Sequence, residues 1–282
     1  MHPYVQERLS LNYELAISYL TNRLRKYIEY AGAKGGVVGI SGGIDSSVTS
    51  FILARAIGIN RSFFLLMPSD STPKRDIEHA IEILNILGVK ENWKLINIDE
   101  IVDKFKKVLD ENDKRITGNI KARVRMILLY SFAQRFNYLV IGTGDKSELL
   151  LGYFTKYGDG GVDVLPIGDL YKTQVRSLGK YLGVPEEIVK KPPSPALWEG
   201  QTAEGEIGVD YETIDSILYL RFEEFRETKE ISEMLGVSED VVNRIDKMVR
   251  SSQHKRSLPE IFRVSKRAIN SDLRYPREWF YL

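Results

Sequence analysis

The chain contains no cysteine and only three histidines, His2, His79 and His254, among its 282 residues. Without a thiol it can form no disulfide, iron–sulfur cluster or cysteine-ligated zinc finger, and it has no cysteine nucleophile. The histidines stand far apart in sequence, which argues against a His-rich metal centre. Any metal chemistry must then rest on carboxylates, and oxygen ligands suit a hard ion such as magnesium. Charge of one sign is also lacking, since 40 Lys+Arg face 39 Asp+Glu. Composition therefore makes no case for a nucleic acid or a membrane surface as partner. No apolar run reaches the roughly 18 residues that a membrane-spanning helix requires. The amino-terminal MHPYVQERLS is polar, without the basic-then-apolar pattern of a secretory signal. The expectation is a cytoplasmic protein.

What is present is ample apolar material, 43% of residues. It suffices for one large α/β domain over 1–282, with a helical C-terminal part at about 210–265. Residues 5–30 carry Leu9, Tyr13, Ala16, Ile17, Leu20, Leu24, Tyr27 and Ile28 at helical spacing. Short β-rich runs recur at 36–41, 62–67, 93–98 and 138–142, with helical patterns at 46–58, 74–87 and 118–136. Short apolar strands separated by helices predict a doubly wound, Rossmann-like parallel sheet with helices on both faces. Beyond it, 153–164 and 192–209 are Gly-, Pro- and polar-rich loops flanking a helix near 169–182. Loops of that length in a compact domain are lids or disordered segments. Residues 211–225 and 229–252 read as helical, with Ser238 as a candidate cap.

The first strand runs into Gly39-Ile-Ser-Gly-Gly-Ile-Asp-Ser46. Open parallel sheets bind ligands beyond the carboxyl ends of their strands, and a glycine turn there lets N–H groups approach a phosphate. The lysine of the Walker pattern is absent, and no G-x-G-x-x-G fingerprint follows any of the strands. On spacing alone two readings stand: a phosphate cradle with Asp45 holding a cation, or a tight turn with Asp45 or Ser46 capping the helix.

Ser41-Gly-Gly-Ile-Asp-Ser46 resembles the SGGxDS loop of the ATP pyrophosphatases, enzymes that cleave ATP between the α and β phosphates. Such a loop holds the departing pyrophosphate through N–H groups and hydroxyls, while magnesium supplies the charge a lysine would bring. Further stretches are similar, in order, to the NAD synthetase branch. They are Asn119-Ile-Lys-Ala-Arg-Val-Arg-Met126, Gly142-Thr-Gly-Asp-Lys-Ser-Glu148 and Gly152-Tyr-Phe-Thr-Lys-Tyr-Gly-Asp-Gly-Gly161. Lys172-Thr-Gln-Val-Arg176, Gln201-Thr-Ala-Glu-Gly-Glu-Ile-Gly208 and His254-Lys-Arg256 continue the series. The resemblance spans roughly residues 10 to 265.

It implies ATP-dependent amidation of nicotinate adenine dinucleotide (deamido-NAD) by ammonia, through an acyl-adenylate, to NAD, AMP and pyrophosphate. It implies ATP contacts from Gly39, Ile40, Ser41, Gly42, Gly43, Ile44, Asp45, Ser46, Thr143, Lys172 and Ser194. Asp45 and Glu148 become magnesium ligands, and Arg123, Lys156, Asp163, His254 and Lys255 the residues that hold the dinucleotide. Asp159 matches a carboxylate associated with ammonia, which places it beside Asp45, Glu148 and Lys172 among the catalytic candidates. A homodimer with helix 118–136 near its axis is implied as well. Where much of the family has Thr-Ala-Asp, this chain reads Ser194-Pro195-Ala196, so the contact assigned to that aspartate has no counterpart. The nearest rival, a GMP synthetase subunit, is disfavoured by the FTKYGDGG and HKR stretches. Without the resemblance, Arg123 reads as a side chain over a core stripe, Lys172 and Lys255 as surface lysines, and His254 as a helix-end residue.

Overall fold

A computed structural model of the chain describes residues 1–198 and 200–269. Glu199, within the second expected lid, and the last thirteen residues of the expected 1–282 domain lie outside the described residues. Four parallel strands form one sheet: β1 (Gly35–Gly39), β2 (Ser62–Leu66), β3 (Trp93–Leu95) and β4 (Tyr138–Ile141), in the order β3-β2-β1-β4. Side chains alternate across it. Val37, Leu65 and Val140 pack into one apolar cluster, Val38, Phe64, Leu66 and Ile141 into another. That two-residue period, buried on both sides, is why the strands read as continuous apolar runs.

Helices α1 (Pro3–Arg8) and α2 (Tyr13–Tyr30) replace the single amino-terminal helix expected over 5–30. The break falls at Ser10–Asn12, where the Asn12 side chain caps α2 by accepting from the Leu15 N–H. Next come α3 (Ile44–Ile57), α4 (Lys74–Ile86), α5 (Asp99–Leu109) and α6 (Lys114–Phe136). α3 and α4, with α2, cover the Val38 face, and α5 and α6 cover the Val37 face. α6 starts a turn earlier than its apolar pattern suggested, because Asp113 accepts from the N–H groups of Arg115 and Ile116.

After β4 come α7 (Lys146–Leu151), α8 (Lys172–Leu182), α9 (Glu186–Lys190) and α10 (Ala203–Ile207). α11 (Tyr211–Phe222), α12 (Thr228–Leu235), α13 (Glu239–Ser251) and α14 (Gln253–Arg256) follow. The helix expected over 229–252 is divided at Gly236, which takes φ +67°. Ser238 occupies the N-cap position of α13, but its side chain makes no capping bond. The helices from α11 to α13 bury their own cluster, centred on Ile214, Leu218 and Ile245, which also takes in Leu151 of α7 and Tyr171. Beyond β4, Val164 forms a parallel bridge to Ile141.

The order 3-2-1-4 places the switch point between β1 and β4, where chain connections depart to opposite faces of the sheet. The loops after these two strands, at 40–43 and 142–145, meet there.

Candidate active site

The glycine loop is laced by its own hydroxyls. Ser46 Oγ accepts from the Ser41 N–H (3.1 Å) and donates to the Gly43 carbonyl (3.1 Å), while Ser47 Oγ donates to the same carbonyl at 2.8 Å. Gly42 takes φ +75°, and a Cβ there would sit 2.0 Å from the Asp76 carbonyl. Only glycine fits both the dihedral and the space. The N–H groups of Ile44 and Asp45, in the first turn of α3, have no partner among the described residues. They form a donor set at a positive helix end.

Beside this loop three carboxylates surround one ammonium. Lys172 Nζ lies 2.8 Å from Asp45 Oδ2, 3.0 Å from Asp145 Oδ2 and 2.9 Å from Glu148 Oε1. Lys172 and Asp145 are fully buried, whereas Asp45 and Glu148 keep about a fifth of their side-chain surface open. Asp145 caps α7 in a reciprocal box with Glu148, its Oδ1 accepting from the Glu148 N–H at 2.8 Å. Burial opposes the charge on Lys172, yet Asp145, Asp45 and Glu148 outweigh it and hold the ammonium well above its ordinary pKa. Burial pushes Asp145 up to about 7 and Glu148 up to about 8. Close approach of α8 to α3 makes the cluster possible, because Gly179 of α8 packs where a Cβ would lie 2.4 Å from Ile44 Cδ1.

The cluster opens into a cavity of about 610 Å³ lined by residues from both halves of the chain. Of the residues singled out in the sequence, Gly39, Ile40, Ser41, Gly43, Asp45, Ser46, Thr143, Glu148, Asp159, Ser194 and Lys255 line it. Gly42 and Ile44 belong to the same loop, and Lys172 lies directly beneath. Asp159 accepts from the Thr155 N–H at 2.8 Å, and burial among the cavity walls raises its pKa. Ser194 Oγ donates to the Gln201 carbonyl at 2.6 Å and accepts from the Ala196 N–H at 3.0 Å, closing its own loop. Lys255 Nζ donates to the carbonyls of Gly152 and Phe154 at 2.7 and 2.8 Å.

Arg123, Lys156, Asp163 and His254 do not line this cavity. Arg123 and His254 are exposed, and Lys156 Nζ donates to the His254 carbonyl at 2.6 Å. The Asp163 carboxylate accepts from the Val140 N–H (2.7 Å) and the Tyr130 hydroxyl (3.0 Å), pinning its segment to β4.

Three charged side chains at or beside the cavity escaped the sequence reading. Asp145 carried a signal, the D-x-x-E spacing of a capping box. Arg125, on α6, lines the cavity with Nε bonded to the Met67 carbonyl at 2.9 Å. Lys121 is 5% exposed and joins Asp70 Oδ1 (2.6 Å), Ser71 Oγ (2.9 Å) and the Leu197 carbonyl (3.2 Å). The quoted motif contains both, but nothing in their spacing separates them from Arg123.

No set of three or more metal-ligating side chains among the described residues is arranged to hold a metal ion. Asp45 Oδ1, however, is buried with no hydrogen-bond partner, and Asp45 and Glu148 face the cavity. Magnesium is commonly held by one or two carboxylates together with substrate phosphates. Two hard oxygen donors beside a loop of unpartnered N–H groups fit that pattern.

Fold and site together define a nucleotide-binding α/β enzyme, with its charged groups at the switch point of a doubly wound sheet. The family model of NAD synthase matches residues 16–259, and the chain belongs to that family of ligases. It is 65% identical over 280 residues, 99% of this chain and 100% of the relative, to an NH(3)-dependent NAD(+) synthetase of Sulfolobus acidocaldarius. Among solved structures it is similar to an NMN synthetase from Francisella tularensis, with a TM-score of 0.78 and 35% identity over 89% of this chain and 99% of that one. An NH3-dependent NAD synthetase from Campylobacter jejuni in complex with the nitrate ion gives a TM-score of 0.75 and 30% identity, covering 90% of this chain and 100% of that one.

Proposed function

We propose that the chain amidates the nicotinate carboxylate of nicotinate adenine dinucleotide with ammonia, consuming ATP and giving NAD, AMP and pyrophosphate. The observation that carries this reading is the convergence of Asp45, Glu148 and Lys172 beside a glycine loop with free N–H groups. A carboxylate is a poor electrophile. Its oxygen attacks the α-phosphorus, the bond to the bridging oxygen breaks, and pyrophosphate leaves. Ammonia then attacks the acyl carbon, AMP departs with its oxygen, and the nitrogen loses a proton.

The 39–46 loop N–H groups bind the departing pyrophosphate, and Lys172 places positive charge beside it. Thr143 and Ser194 contribute to the nucleotide site. A magnesium ion held by Asp45 and Glu148, arriving with ATP, would offset the charge that gathers on the phosphates. Asp159 orients ammonia. The loops at 153–163 and 195–208 close over the adenylate and exclude water.

Arg123, Lys156, Asp163, His254 and Lys255 serve the dinucleotide in a homodimer. Support for that assembly comes from exposed apolar side chains on α5 and α6, including Val108 at 83% and Ile127 at 52%. The exposure of Arg123 on the same helix agrees with it. The enzyme acts in the cytoplasm, where ATP is at hand.

Incubation with ATP, magnesium and ammonium, plus nicotinate adenine dinucleotide, nicotinate mononucleotide or xanthosine monophosphate, tests the reading. Amide should form on the dinucleotide, with AMP and pyrophosphate in equal amounts. Preferential amidation of either alternative, or efficient use of ammonia-free glutamine by this cysteine-free chain, overturns it.

A further inference from the structure

Among the described residues, four cations line the cavity: Arg115, Arg125, Lys191 and Lys255. Three are committed or remote. Lys191 is paired with Asp76 at 2.5 Å, and Lys255 is spent on two backbone carbonyls. Arg115 is exposed in the first turn of α6, ten residues and therefore about 15 Å from Arg125 along the helix axis.

Arg125 differs from all three. Its Nε is fixed by the Met67 carbonyl, while neither Nη has a hydrogen-bond partner or an ion pair among the described residues. Neither Nη is among the buried unpartnered atoms, so both are open to the cavity they help to line. The surrounding protein desolvates the guanidinium and lowers its pKa to about 10, and Asp159 and Asp99 act on it only through space. A desolvated charge held without a counter-ion is costly unless a ligand supplies one. Two free Nη groups on a fixed fork match the two oxygens of a carboxylate.

Position narrows the choice of anion. The glycine loop leads into α3 on one face of the sheet, whereas Arg125 belongs to α6 on the other. In displacement at phosphorus the entering and leaving oxygens lie roughly in line on opposite sides. Pyrophosphate held at the loop therefore directs the attacking carboxylate to the α6 side. That carboxylate must also come near Asp159 if ammonia is to be delivered there, and two carboxylates repel unless a cation stands between them.

We infer that Arg125 is the residue that binds the nicotinate carboxylate, and that it makes the enzyme prefer the acid dinucleotide to its amide product. This rests on the amidation proposed above. The test compares binding of nicotinate adenine dinucleotide and of NAD to the wild type, Arg125→Gln and Arg125→Lys, together with KM for the dinucleotide and for ATP. The wild type should bind the acid about 10- to 100-fold more tightly than the amide, the worth of one charge-assisted contact. Arg125→Gln should erase that preference and raise KM for the acid dinucleotide, leaving KM for ATP within about 2-fold, and Arg125→Lys should restore part of the preference. Undiminished preference in folded Arg125→Gln overturns the inference. So does an equal loss for acid and amide, or a loss confined to ATP, which would make Arg125 a structural or phosphate-binding residue. Failure of the wild type to amidate the dinucleotide counts instead against the proposed function.

Discussion

Asp145 Oδ2 stands 3.0 Å from Lys172 Nζ, and neither side chain has any exposed surface. The same carboxylate caps α7 through its other oxygen. One acid therefore fixes both the start of the helix that carries Glu148 and the position of the lysine between Asp45 and Glu148. Removing one member of a buried ion pair leaves the other uncompensated, which costs more than the pair contributes.

Lys172→Met should lower stability by about 3 to 5 kcal/mol and turnover by at least about 100-fold, since it removes the cation shared by three carboxylates. Asp145→Asn keeps a good cap but loses the charge, and should cost about 1 to 3 kcal/mol. Urea denaturation and steady-state kinetics read both. Near-normal turnover in folded Lys172→Met would remove the lysine from the chemistry.

Stability of the ligand-free protein should fall as pH rises. Burial lifts Asp145 to about 7, Glu148 to about 8 and Asp215 to about 6, from ordinary values of 3.8, 4.5 and 3.8. The folded state keeps protons that the unfolded chain has released. The stabilisation is complete below about pH 4 and is lost as pH rises from there through the folded values of about 6 to 8. Without divalent cations, the unfolding free energy from urea denaturation should be lower at pH 8.5 than at pH 5.5, by on the order of 2 kcal/mol, and the midpoint should fall with it. A flat or rising midpoint would contradict this electrostatic account.

Gly42→Ala places a methyl group 2.0 Å from the Asp76 carbonyl at a residue with φ +75°. The dihedral alone costs about 1 to 2 kcal/mol, and the clash forces the loop to move away from α4. ATP binding, followed by calorimetry, should weaken at least about 10-fold. Gly183→Ala, also at positive φ but with open space around the new Cβ, serves as the control and should leave ATP binding intact.

Lys121 anchors the 195–198 segment to α6 and to the 69–72 turn, with Ser71 Oγ adding a bond to the Ala196 carbonyl at 2.9 Å. Lys121→Met should speed amide exchange across 195–198 several-fold and raise KM for ATP, with exchange in α3 unchanged. Exchange that stays slow in this segment means that the anchor lies elsewhere.

The doubly wound class was legible in Val37–Val38, Phe63–Leu66 and Tyr138–Ile141, because strands covered on both faces are apolar on both, while the strand order came only with the structure. The meeting of Asp45 and Glu148 followed from their places after two strand ends, which the switch point brings together, while the roles assigned to them came from the resemblance alone. α5 carries Ile101, Val102, Phe105, Val108 and Leu109 at helical spacing, but it is short and buries only Val102, which makes its signal weaker than that of the strands beside it. Arg125 and Lys121 stayed hidden because partner groups from distant segments, Met67, Asp70 and Leu197, give them their environment. Tertiary contacts of that kind leave no period in the chain.

The segment beside β4 has a second consequence. Asp163 occupies the outer rim of the sheet, accepting the Val140 N–H with its carboxylate and donating its own N–H to the Val140 carbonyl at 3.0 Å. At the opposite rim β3 is only three residues long and carries Lys94. Both borders are thus closed to strand addition, one by a covering segment and one by brevity and charge. The covering segment continues directly from the 153–163 loop. Loosening that loop far enough to free residues 162–164 would bare a hydrogen-bonding border of apolar strand, so the hazard of self-association limits how far it can open. Asp163→Ala should accordingly scatter more light on mild heating than the wild type, at temperatures where the helices remain intact.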